Sequence, residues 1–323
     1  MKVGILGAGN IAEKMARTLN GMTDAEAWGV ASREMPRARA FAEKFGIPRA
    51  YGSYEDLLKD PEVELVYVAT PHSHHYAQMK LCLDYGKHLL CEKSFTVNAG
   101  QAEEICRLGR EKKLLVAEAI WTRYLPMRKV MDDVLASGII GNPRVLHASL
   151  CQAVEHKRDR IANPLLAGGA LLDMGVYAVN FAFMCFGSDI REIKSAMVPG
   201  STGVDAFSGA ILTYRDGKAA LIYSAFNARS DRHGVVSGDK GYVVFKNINN
   251  CDGIEVYDLE DRPVAKYYTP PQITGFEYQV EACKRAIEKG LSETPEMPHS
   301  EIIKVLKTMD AFRKEWGLKY PFE

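Results

Sequence analysis

The fold is decided at the start of the chain, by the stretch KVGILGAGNIAEKMARTL at residues 2–19. Lys2–Leu6 is a short apolar run typical of a buried strand, and Ile11–Leu19 has the apolar periodicity of a helix. Between them stand Gly7 and Gly9. A strand, a glycine turn and a helix in this order predict a dinucleotide-binding unit, because the helix N-terminus presents unpaired N–H groups to a pyrophosphate. A glycine turn that holds no ligand is the alternative interpretation.

Each small residue of this turn has its own predicted task. Gly7 permits the tight bend, Gly9 lets the backbone approach the phosphates, and Ala12 keeps the helix close to the sheet. Asn10 and Ile11 open the helix and complete the predicted phosphate site. The strand before the turn and the helix after it are what make the pattern specific.

The first 120 residues continue to alternate apolar runs with amphipathic stretches. The predicted strands are Lys2–Leu6, Ala25–Ala31, Leu65–Thr70, His88–Cys91 and Leu114–Ala117. The predicted helices are Ile11–Leu19, Pro36–Phe45, Ser53–Leu58, His75–Tyr85 and Ala99–Lys112. This alternation predicts an α/β domain over residues 1–120, a doubly wound parallel sheet with helices on both faces.

After Trp121 the alternation gives way to short strands separated by turns. The predicted strands are Arg144–Cys151, Ile190–Met197, Ala206–Tyr214, Ala219–Ala225, Val235–Gly238 and Tyr242–Phe245. A long apolar helix is predicted at Leu171–Phe186, and helices at Phe276–Lys289 and His299–Trp316 close the chain. Residues 121–323 therefore predict an α+β domain with a mostly antiparallel sheet, helices on one side, and a last helix that packs back on the first domain.

Composition excludes several classes of partner. Lysine and arginine total 41, as do aspartate and glutamate, with no basic block. This balance argues against nucleic acid and anionic membranes, which need clustered cations. We expect no signal peptide and no membrane span of ~20 apolar residues. The seven cysteines are scattered and form no C-x-x-C pair, so we expect reduced thiols in a cytoplasmic protein.

The end of the second predicted strand favours NADP over NAD. An NAD site usually has an acidic residue there, roughly 20 residues past the glycines. This chain has Ser32 and Arg33 instead. A serine hydroxyl can donate to a 2′-phosphate, and an arginine can pair with it and lie over the adenine. We interpret Arg37 and Arg39 as side chains that solvate the second helix.

Several motifs together resemble the glucose–fructose oxidoreductase / inositol dehydrogenase (Gfo/Idh/MocA) family. They are the glycine turn, Thr70-Pro71 followed by His75, and Glu92-Lys93 at a strand end. The segments EAIWTRY (118–124) and GGALLDMGVY (168–177) are similar to its branch of dihydrodiol and xylose dehydrogenases, as are ETP (293–295) and MPHSE (297–301).

The resemblance implies an NAD(P)-dependent dehydrogenase that acts on a sugar, polyol or cyclic diol. It also implies a Rossmann domain before an open-faced sheet domain, a site between them, and a homodimer or homotetramer built through that sheet. By the family's pattern, His75 lies near the nicotinamide, and Thr70, Pro71, Glu92 and Lys93 also bind the cofactor. Lys93 is implied as a catalytic group; a surface lysine that caps a strand is the alternative.

Asp173 and Tyr177 complete the implied catalytic group. Their i, i+4 spacing places both on one face of a helix. The family usually has histidine at the place of Tyr177, whereas the dihydrodiol branch has tyrosine. An ammonium such as Lys93 favours the phenolate form and makes tyrosine a plausible acid/base, with Asp173 orienting the lysine or a substrate hydroxyl. Which of Lys93 and Tyr177 moves the proton stays open, and the alternative has Tyr177 packing an apolar helix that Asp173 caps.

Further substrate contacts are predicted on either side of the domain boundary. Trp121 and Arg123 suit the floor of a sugar-sized pocket, although interdomain packing explains them nearly as well. Arg158, Arg160 and Asn163 precede the turn at 168–169 and are candidate substrate contacts.

Three local features bear on the predicted site. The family commonly has proline after the lysine, where this chain has Ser94, so a backbone restriction and the usual reason for a cis bond are lost. The run HSHH at residues 72–75 invites a metal site, but no carboxylate–histidine spacing accompanies it and we expect no metal. Cys91 is interpreted as a buried strand thiol.

Two other classes of function are compatible with the same fold. One is redox-neutral chemistry with a retained NAD, such as glycoside cleavage through transient oxidation; Arg33 argues against it. The other is a non-catalytic dinucleotide sensor, which the joint presence of Lys93, Asp173 and Tyr177 disfavours. Fold alone does not decide among them.

Overall fold

The computed structural model describes residues 1–154 and 158–323, which divide into two compact units. The first unit comprises Met1–Tyr124 and Pro271–Ile303, and the second comprises Leu125–Pro270 and Lys304–Glu323. The division therefore differs from a single cut after residue 120. The backbone N–H of Val116 donates to the carbonyl of Ser292 at 2.9 Å, which shows how the returning segment is tied to the first unit.

The first unit is built on a six-stranded parallel sheet in the order β3-β2-β1-β4-β5-β6. Its strands are β1 Lys2–Leu6, β2 Glu26–Ala31, β3 Arg49–Tyr51, β4 Leu65–Val68, β5 His88–Glu92 and β6 Val116–Ala119. Its helices up to Tyr124 are α1 Asn10–Gly21, α2 Met35–Phe45, α3 Tyr54–Leu58, α4 His72–Asp84 and α5 Ala99–Lys112. The predicted doubly wound parallel sheet is confirmed, with β3 as an additional strand.

Local chemistry explains where these elements begin and end. The Ser53 side chain accepts from the backbone of the third residue on and starts α3, and Asn98 does the same for α5. Gly46, with φ of 68°, ends α2. Helix α4 begins at His72, three residues earlier than predicted, because Pro71 supplies a suitable extended N-cap.

The second unit contains an eight-stranded sheet in the order β14-β13-β12-β11-β7-β10-β9-β8. Its strands are β7 Pro143–Cys151, β8 Ile190–Pro199, β9 Asp205–Tyr214, β10 Ala219–Ala225, β11 Gly234–Gly238, β12 Tyr242–Lys246, β13 Gly253–Tyr257 and β14 Pro263–Tyr268. Strands β10 and β7 pair in parallel, and the other neighbours pair antiparallel. The predicted mostly antiparallel sheet is confirmed, and β13 and β14 extend it beyond the predicted strands.

The remaining helices are α6 Pro126–Ala136, α7 Arg158–Ile161, α8 Val176–Phe186, α9 Glu277–Glu288 and α10 His299–Trp316. A π-helical turn at Leu171–Gly175 leads directly into α8. Helix α9 and the first residues of α10 belong to the first unit. Helix α8 contacts β7 and β10 and lies on one face of the eight-stranded sheet.

One helical run corrects the expectation that no stretch is long and apolar enough to cross a membrane. Within the described residues, Pro164–Phe186 spans 23 residues with mean hydropathy 1.5. The structure buries 89% of its most apolar window inside the protein. Phe181 packs edge-on against Phe245 with ring centroids 5.2 Å apart. A helix that is apolar on all sides and buried in this way is a core helix.

Candidate active site

The glycine turn after β1 has the geometry of an anion site. Gly7 has φ of 102°, and its N–H donates to the carbonyl of Ala31 at 2.9 Å. A Cβ at Gly7 would lie 2.7 Å from the Ala69 carbonyl oxygen, so a side chain there is excluded. Gly9 is the N-cap of α1 with no side-chain hydrogen bond, and a Cβ placed on it would meet nothing within 4 Å. The open helix N-terminus beside Gly9 fits a pyrophosphate.

The end of β2 carries the predicted 2′-phosphate side chains. Ser32 is buried and Arg33 is exposed. Arg37 corrects our interpretation that it only solvates α2, because its Nε and Nη2 lie 3.3 and 3.1 Å from the carbonyl oxygen of Ala8 in the glycine turn. Burial and the nearby Arg33 guanidinium lower the pKa of His74. Two arginines and the glycine turn thus meet at one corner of the sheet edge.

His75 ties together the segments after β4 and β5. It is fully buried, and its Nε2 and Nδ1 lie 2.9 and 2.8 Å from the carbonyl oxygens of Thr70 and Ser94. Burial lowers the pKa of His75, which favours a neutral ring that donates to one of the two carbonyls. The Thr70 hydroxyl bonds Gln78 at 2.5 Å. Among the described residues, no three histidine, cysteine, aspartate or glutamate side chains are arranged so that they could hold a metal ion, at residues 72–75 or elsewhere.

Glu92 and Lys93 stand at the carboxyl end of β5, as predicted. Glu92 is buried, accepts from the Tyr67 hydroxyl and lies 3.2 Å from the backbone N–H of Lys93. Burial raises the pKa of Glu92. The Lys93–Ser94 peptide bond is cis, which corrects the expectation that the cis bond goes with the missing proline. Cys91 is fully buried, and all seven cysteines are free.

A second buried carboxylate, Glu118 at the end of β6, was given no role by the sequence. Its Oε1 accepts from the backbone N–H of Phe95 at 3.1 Å, two residues after Lys93. Its Oε2 has no hydrogen-bond partner among the described residues, and burial raises the pKa of Glu118 to about 7. Glu118 therefore supports the segment that carries Lys93.

A half-buried cation, Lys14 on α1, was also overlooked. Its ammonium lies 3.9 Å from the ring centroid of Trp121 and 4.2 Å from that of Phe276. Burial lowers the pKa of Lys14, and the carboxylates of Glu92 and Glu277 partly offset that effect. The available signal was a lysine one turn into the helix that follows the glycine turn.

Trp121 and Arg123 lie in the interior of the first unit. Trp121 is buried against Phe276, with ring centroids 4.9 Å apart. The Arg123 guanidinium pairs with Glu301 at 3.4 Å, and burial lowers its pKa. These contacts give both residues a packing role within the unit. Their contact with a substrate stays a prediction.

The predicted residues of the second unit cluster around the π-helical turn. Asp173 lies in that turn and accepts from Arg160 at 3.0 and 3.1 Å. Tyr177 is buried in the first turn of α8. The alternative in which Asp173 caps the helix is wrong, because the N-cap of the π-helical turn is Ala170 and that of α8 is Gly175.

Asn163 has a local structural task. Its Oδ1 accepts from the backbone N–H of Leu165 at 2.9 Å and caps the short 3₁₀ turn Pro164–Leu166. The side chain of Arg158 lies outside the described residues. The structure brings Arg160 to Asp173.

Comparisons with known proteins cover nearly the whole chain. Residues 1–119 match an oxidoreductase family with an NAD-binding Rossmann fold, and residues 129–244 match the GFO/IDH/MocA C-terminal domain. The trans-1,2-dihydrobenzene-1,2-diol dehydrogenase of Macaca fuscata fuscata is 35% identical over 329 residues, covering 99% of this chain and 98% of the relative. The Homo sapiens protein of that name is 34% identical with the same coverage. The chain belongs to the GFO/IDH/MocA oxidoreductase family.

A solved structure supports the same assignment for this GFO/IDH/MocA protein. KijD10, a 3-ketoreductase from Actinomadura kijaniata in complex with NADP and TDP-benzene, is 27% identical with a TM-score of 0.88, covering 97% of each chain. The relatives are named as dehydrogenases and a reductase, and the first unit carries the NAD-binding match. The chain is an NAD(P)-dependent dehydrogenase or reductase.

Proposed function

We propose that this GFO/IDH/MocA enzyme transfers a hydride between NADP(H) and a CH–OH group of a cyclic diol, sugar or polyol. The observation that carries the proposal is the shared sheet edge of the first unit. The glycine turn, Ser32-Arg33, Thr70-Pro71 and Glu92-Lys93 follow four parallel strands, so their side chains end at one edge. Ligands of open parallel sheets bind at this edge. The dihydrodiol dehydrogenases and the ketoreductase among the relatives suggest the substrate class.

The preference for NADP rests on charge at the end of β2. The two residues after this strand are Ser32 and Arg33, so no carboxylate there competes for the ribose. Arg37 bonds the carbonyl of Ala8 and places a second guanidinium at the same corner. Two cations and a hydroxyl suit a dianionic 2′-phosphate. A bound nicotinamide supplies the hydride acceptor or donor.

The proton of the substrate hydroxyl is assigned to Lys93 and Tyr177. Lys93 stands at the sheet edge, held through Glu92 and the neighbouring Glu118 contact. Tyr177 belongs to the second unit and follows Asp173, which Arg160 orients through both carboxylate oxygens. Asp173 orients the lysine or a substrate hydroxyl. A positioned acid/base of this kind contributes about 10²–10⁴-fold to rate.

We further propose that a second copy of the chain covers the open face of the eight-stranded sheet, in a homodimer or homotetramer. Val145, Ile211, Leu221 and Tyr223 on β7, β9 and β10 are each more than 40% exposed. Leu221 pairs with Ile211 in register, so these side chains form one apolar patch. Light scattering should give an oligomer for the wild type and a monomer for Leu221→Glu, while Leu259→Glu in a distant turn stays oligomeric. A monomeric wild type would contradict this assignment.

The test of the proposed reaction is absorbance at the reduced-nicotinamide band, with NADP and NAD in parallel. Substrates are a cyclic trans-diol, D-xylose, D-glucose and inositols. We expect turnover with NADP that falls at least a hundredfold in Lys93→Met and Tyr177→Phe. Lys112→Met and Tyr85→Phe, both on exposed surface, are matched controls and keep wild-type rates.

Two outcomes would contradict the proposal. No turnover with either free cofactor, together with a dinucleotide released on denaturation, would support the redox-neutral reading with retained NAD. Dinucleotide binding without any turnover, and with function in partner regulation unchanged by Lys93→Met, would support a sensor.

A further inference from the structure

The turn that leads to Asp173 is held by residues from far along the chain. Asp205, the first residue of β9, accepts from the backbone N–H of Leu171 at 2.7 Å through Oδ2. Leu171 begins the π-helical turn that contains Asp173 and runs on to Tyr177. The hydrogen bond joins residues 34 positions apart in the sequence. It fixes where this helical segment starts.

The packing around Asp205 leaves the turn little freedom. Asp205 is fully buried, and its Oδ1 has no hydrogen-bond partner among the described residues. Gly169 has φ of 120°, and a Cβ on it would lie 2.1 Å from Oδ1. The carboxylate therefore sits directly against the turn backbone, at a place where only glycine fits.

A buried carboxylate with one partnerless oxygen carries a substantial desolvation cost. An asparagine would donate one hydrogen bond, accept another and carry no charge. A carboxylate offers a stronger acceptor to the Leu171 N–H, because charge-assisted hydrogen bonds are shorter and stronger than neutral ones. The charge is directed at the N–H that starts the segment of Asp173 and Tyr177.

We propose that Asp205 is a positioning residue, which holds the start of the Leu171–Phe186 segment so that Asp173 and Tyr177 are presented to the substrate. The inference rests on the proposed function of these two residues. Asp205 itself is buried and acts through the Leu171 backbone and the Gly169 turn.

Ionisation of Asp205 provides a readout that simple packing would not give. Burial raises the pKa of Asp205 to about 7, although the Leu171 N–H and the Ser208 hydroxyl lower it. The charged and titratable groups that face it are Arg313 on α10 and the Tyr320 phenol of the C-terminal tail, with Glu323 beside them. The strength of the Leu171 hydrogen bond should therefore change around neutral pH.

The experiment compares Asp205→Ala, Asp205→Asn and the wild type in the full-length enzyme. Thr308→Ala is the matched control, because it also removes a side-chain hydrogen bond from a buried residue of the second unit. Turnover and NADPH affinity are measured from pH 5.5 to 8.5. Backbone hydrogen exchange of the peptide spanning residues 168–177 is followed by mass spectrometry.

We expect Asp205→Ala to lower kcat at least tenfold and to speed exchange in residues 168–177, with NADPH affinity within twofold of the wild type. Asp205→Asn should keep most of the wild-type kcat and most of the wild-type protection from exchange, because its side-chain carbonyl oxygen still accepts from the Leu171 N–H. The ratio of wild-type to Asp205→Asn kcat should be near one at pH 5.5 and rise to at least threefold at pH 8.5. Thr308→Ala should match the wild type throughout.

Wild-type exchange and kcat in both Asp205 variants, at every pH, would overturn the inference. If Asp205→Ala does not fold, the pH-dependent ratio for Asp205→Asn decides, and a flat ratio overturns it. Full activity of Tyr177→Phe would overturn the proposed function and this inference together. An inactive Tyr177→Phe beside fully active Asp205 variants would overturn the inference alone.

Discussion

The glycine turn of the first unit and the 168–177 turn of the second unit are both built around glycines, but they are stabilised differently. The Gly7 N–H donates to Ala31, the last residue of β2, and Gly7 lies against Ala69, the residue after β4. The second turn depends on Asp205, 34 residues away from its partner, and on the Tyr320 hydroxyl, which donates to the Gly168 carbonyl across 152 residues. The first turn is marked in the sequence by its own glycines between a strand and a helix, whereas the carboxylate and the phenol that hold the second turn belong to no sequence motif.

We expect the two turns to serve different functions in the proposed reaction. The glycine turn presents backbone N–H groups, so it should set cofactor affinity. The second turn presents the side chains of Asp173 and Tyr177, so it should set the rate of proton transfer. Substitutions in one turn should therefore leave the property of the other unchanged.

The largest expected effect contrasts the two glycines of the first turn. Gly7→Ala should lower the free energy of unfolding by about 2 kcal/mol or more, because φ is positive and its Cβ meets the Ala69 carbonyl. Gly9→Ala should leave thermal stability unchanged, since its Cβ meets nothing, but should weaken NADPH binding at least tenfold by filling the phosphate space. Calorimetry measures the stability of the two variants, and a titration measures their NADPH affinity. Equal losses of stability in Gly7→Ala and Gly9→Ala would contradict the separate roles of the two glycines.

The next effect tests which cofactor the first unit prefers. Arg33→Ala should weaken NADP binding by roughly tenfold to a hundredfold, because it removes a charge-assisted contact with the 2′-phosphate. NAD binding should change less than twofold. Arg39→Ala on the helix that follows, α2, is the control and should affect neither. Equal losses for NADP and NAD would contradict the 2′-phosphate role.

A third prediction concerns pH and the buried Glu118. Its folded-state pKa of about 7 lies above the usual 4.5, so the stability it contributes is fully present below pH 4.5 and is lost as pH rises through about 7. In the wild type this titration should lower the free energy of unfolding by about 3 kcal/mol between pH 4.5 and 8, and Glu118→Gln should remove that loss. Asp205 titrates in both proteins and cancels in the comparison. Denaturant unfolding from pH 4.5 to 8 measures the free energy of unfolding of each protein, with the exposed Glu111→Gln as control. If the free energies of Glu118→Gln and the wild type depend on pH in the same way, the raised pKa of Glu118 is ruled out.

The smallest expected effect tests how the Tyr320 hydroxyl stabilises the second turn. Tyr320→Phe removes the hydrogen bond to the Gly168 carbonyl and should cost about 1 kcal/mol of stability. We expect kcat to fall a few-fold with NADPH affinity unchanged. Lys319→Gln, an exposed change in the same tail, should be neutral. A loss of cofactor affinity in Tyr320→Phe would break the separation of the two turns.

Much of the fold was predictable because its signals are local. The strand β1 and helix α5 were predicted with the bounds that the structure has, since apolar runs and caps mark their ends. Strand β3 has only three residues, too few to show a period. Strand β14 begins with a proline and has mostly exposed side chains, as edge strands do, so no buried alternation announced it.

The residues of the candidate site also fall into those that a local motif predicts and those that distant contacts define. The glycine turn and the Glu92-Lys93 strand end were predictable from short motifs. Arg37 was misinterpreted because its contact with Ala8 spans 29 residues. Glu118 and Asp205 could not be assigned from the sequence, because a buried carboxylate is defined by what surrounds it. Helix α6 is a different case: Met127, Met131 and Val134 carry a helical apolar spacing that was overlooked.

The most direct test of the two-part account is Tyr177→Phe, measured for NADPH affinity and for turnover on the same preparation. We expect an NADPH dissociation constant within twofold of the wild type and turnover at least a hundredfold slower. Unchanged turnover would contradict the role of Tyr177 in proton transfer. A loss of affinity that matches the loss of turnover would contradict the separation of cofactor binding from the proton-transfer residues of the second unit.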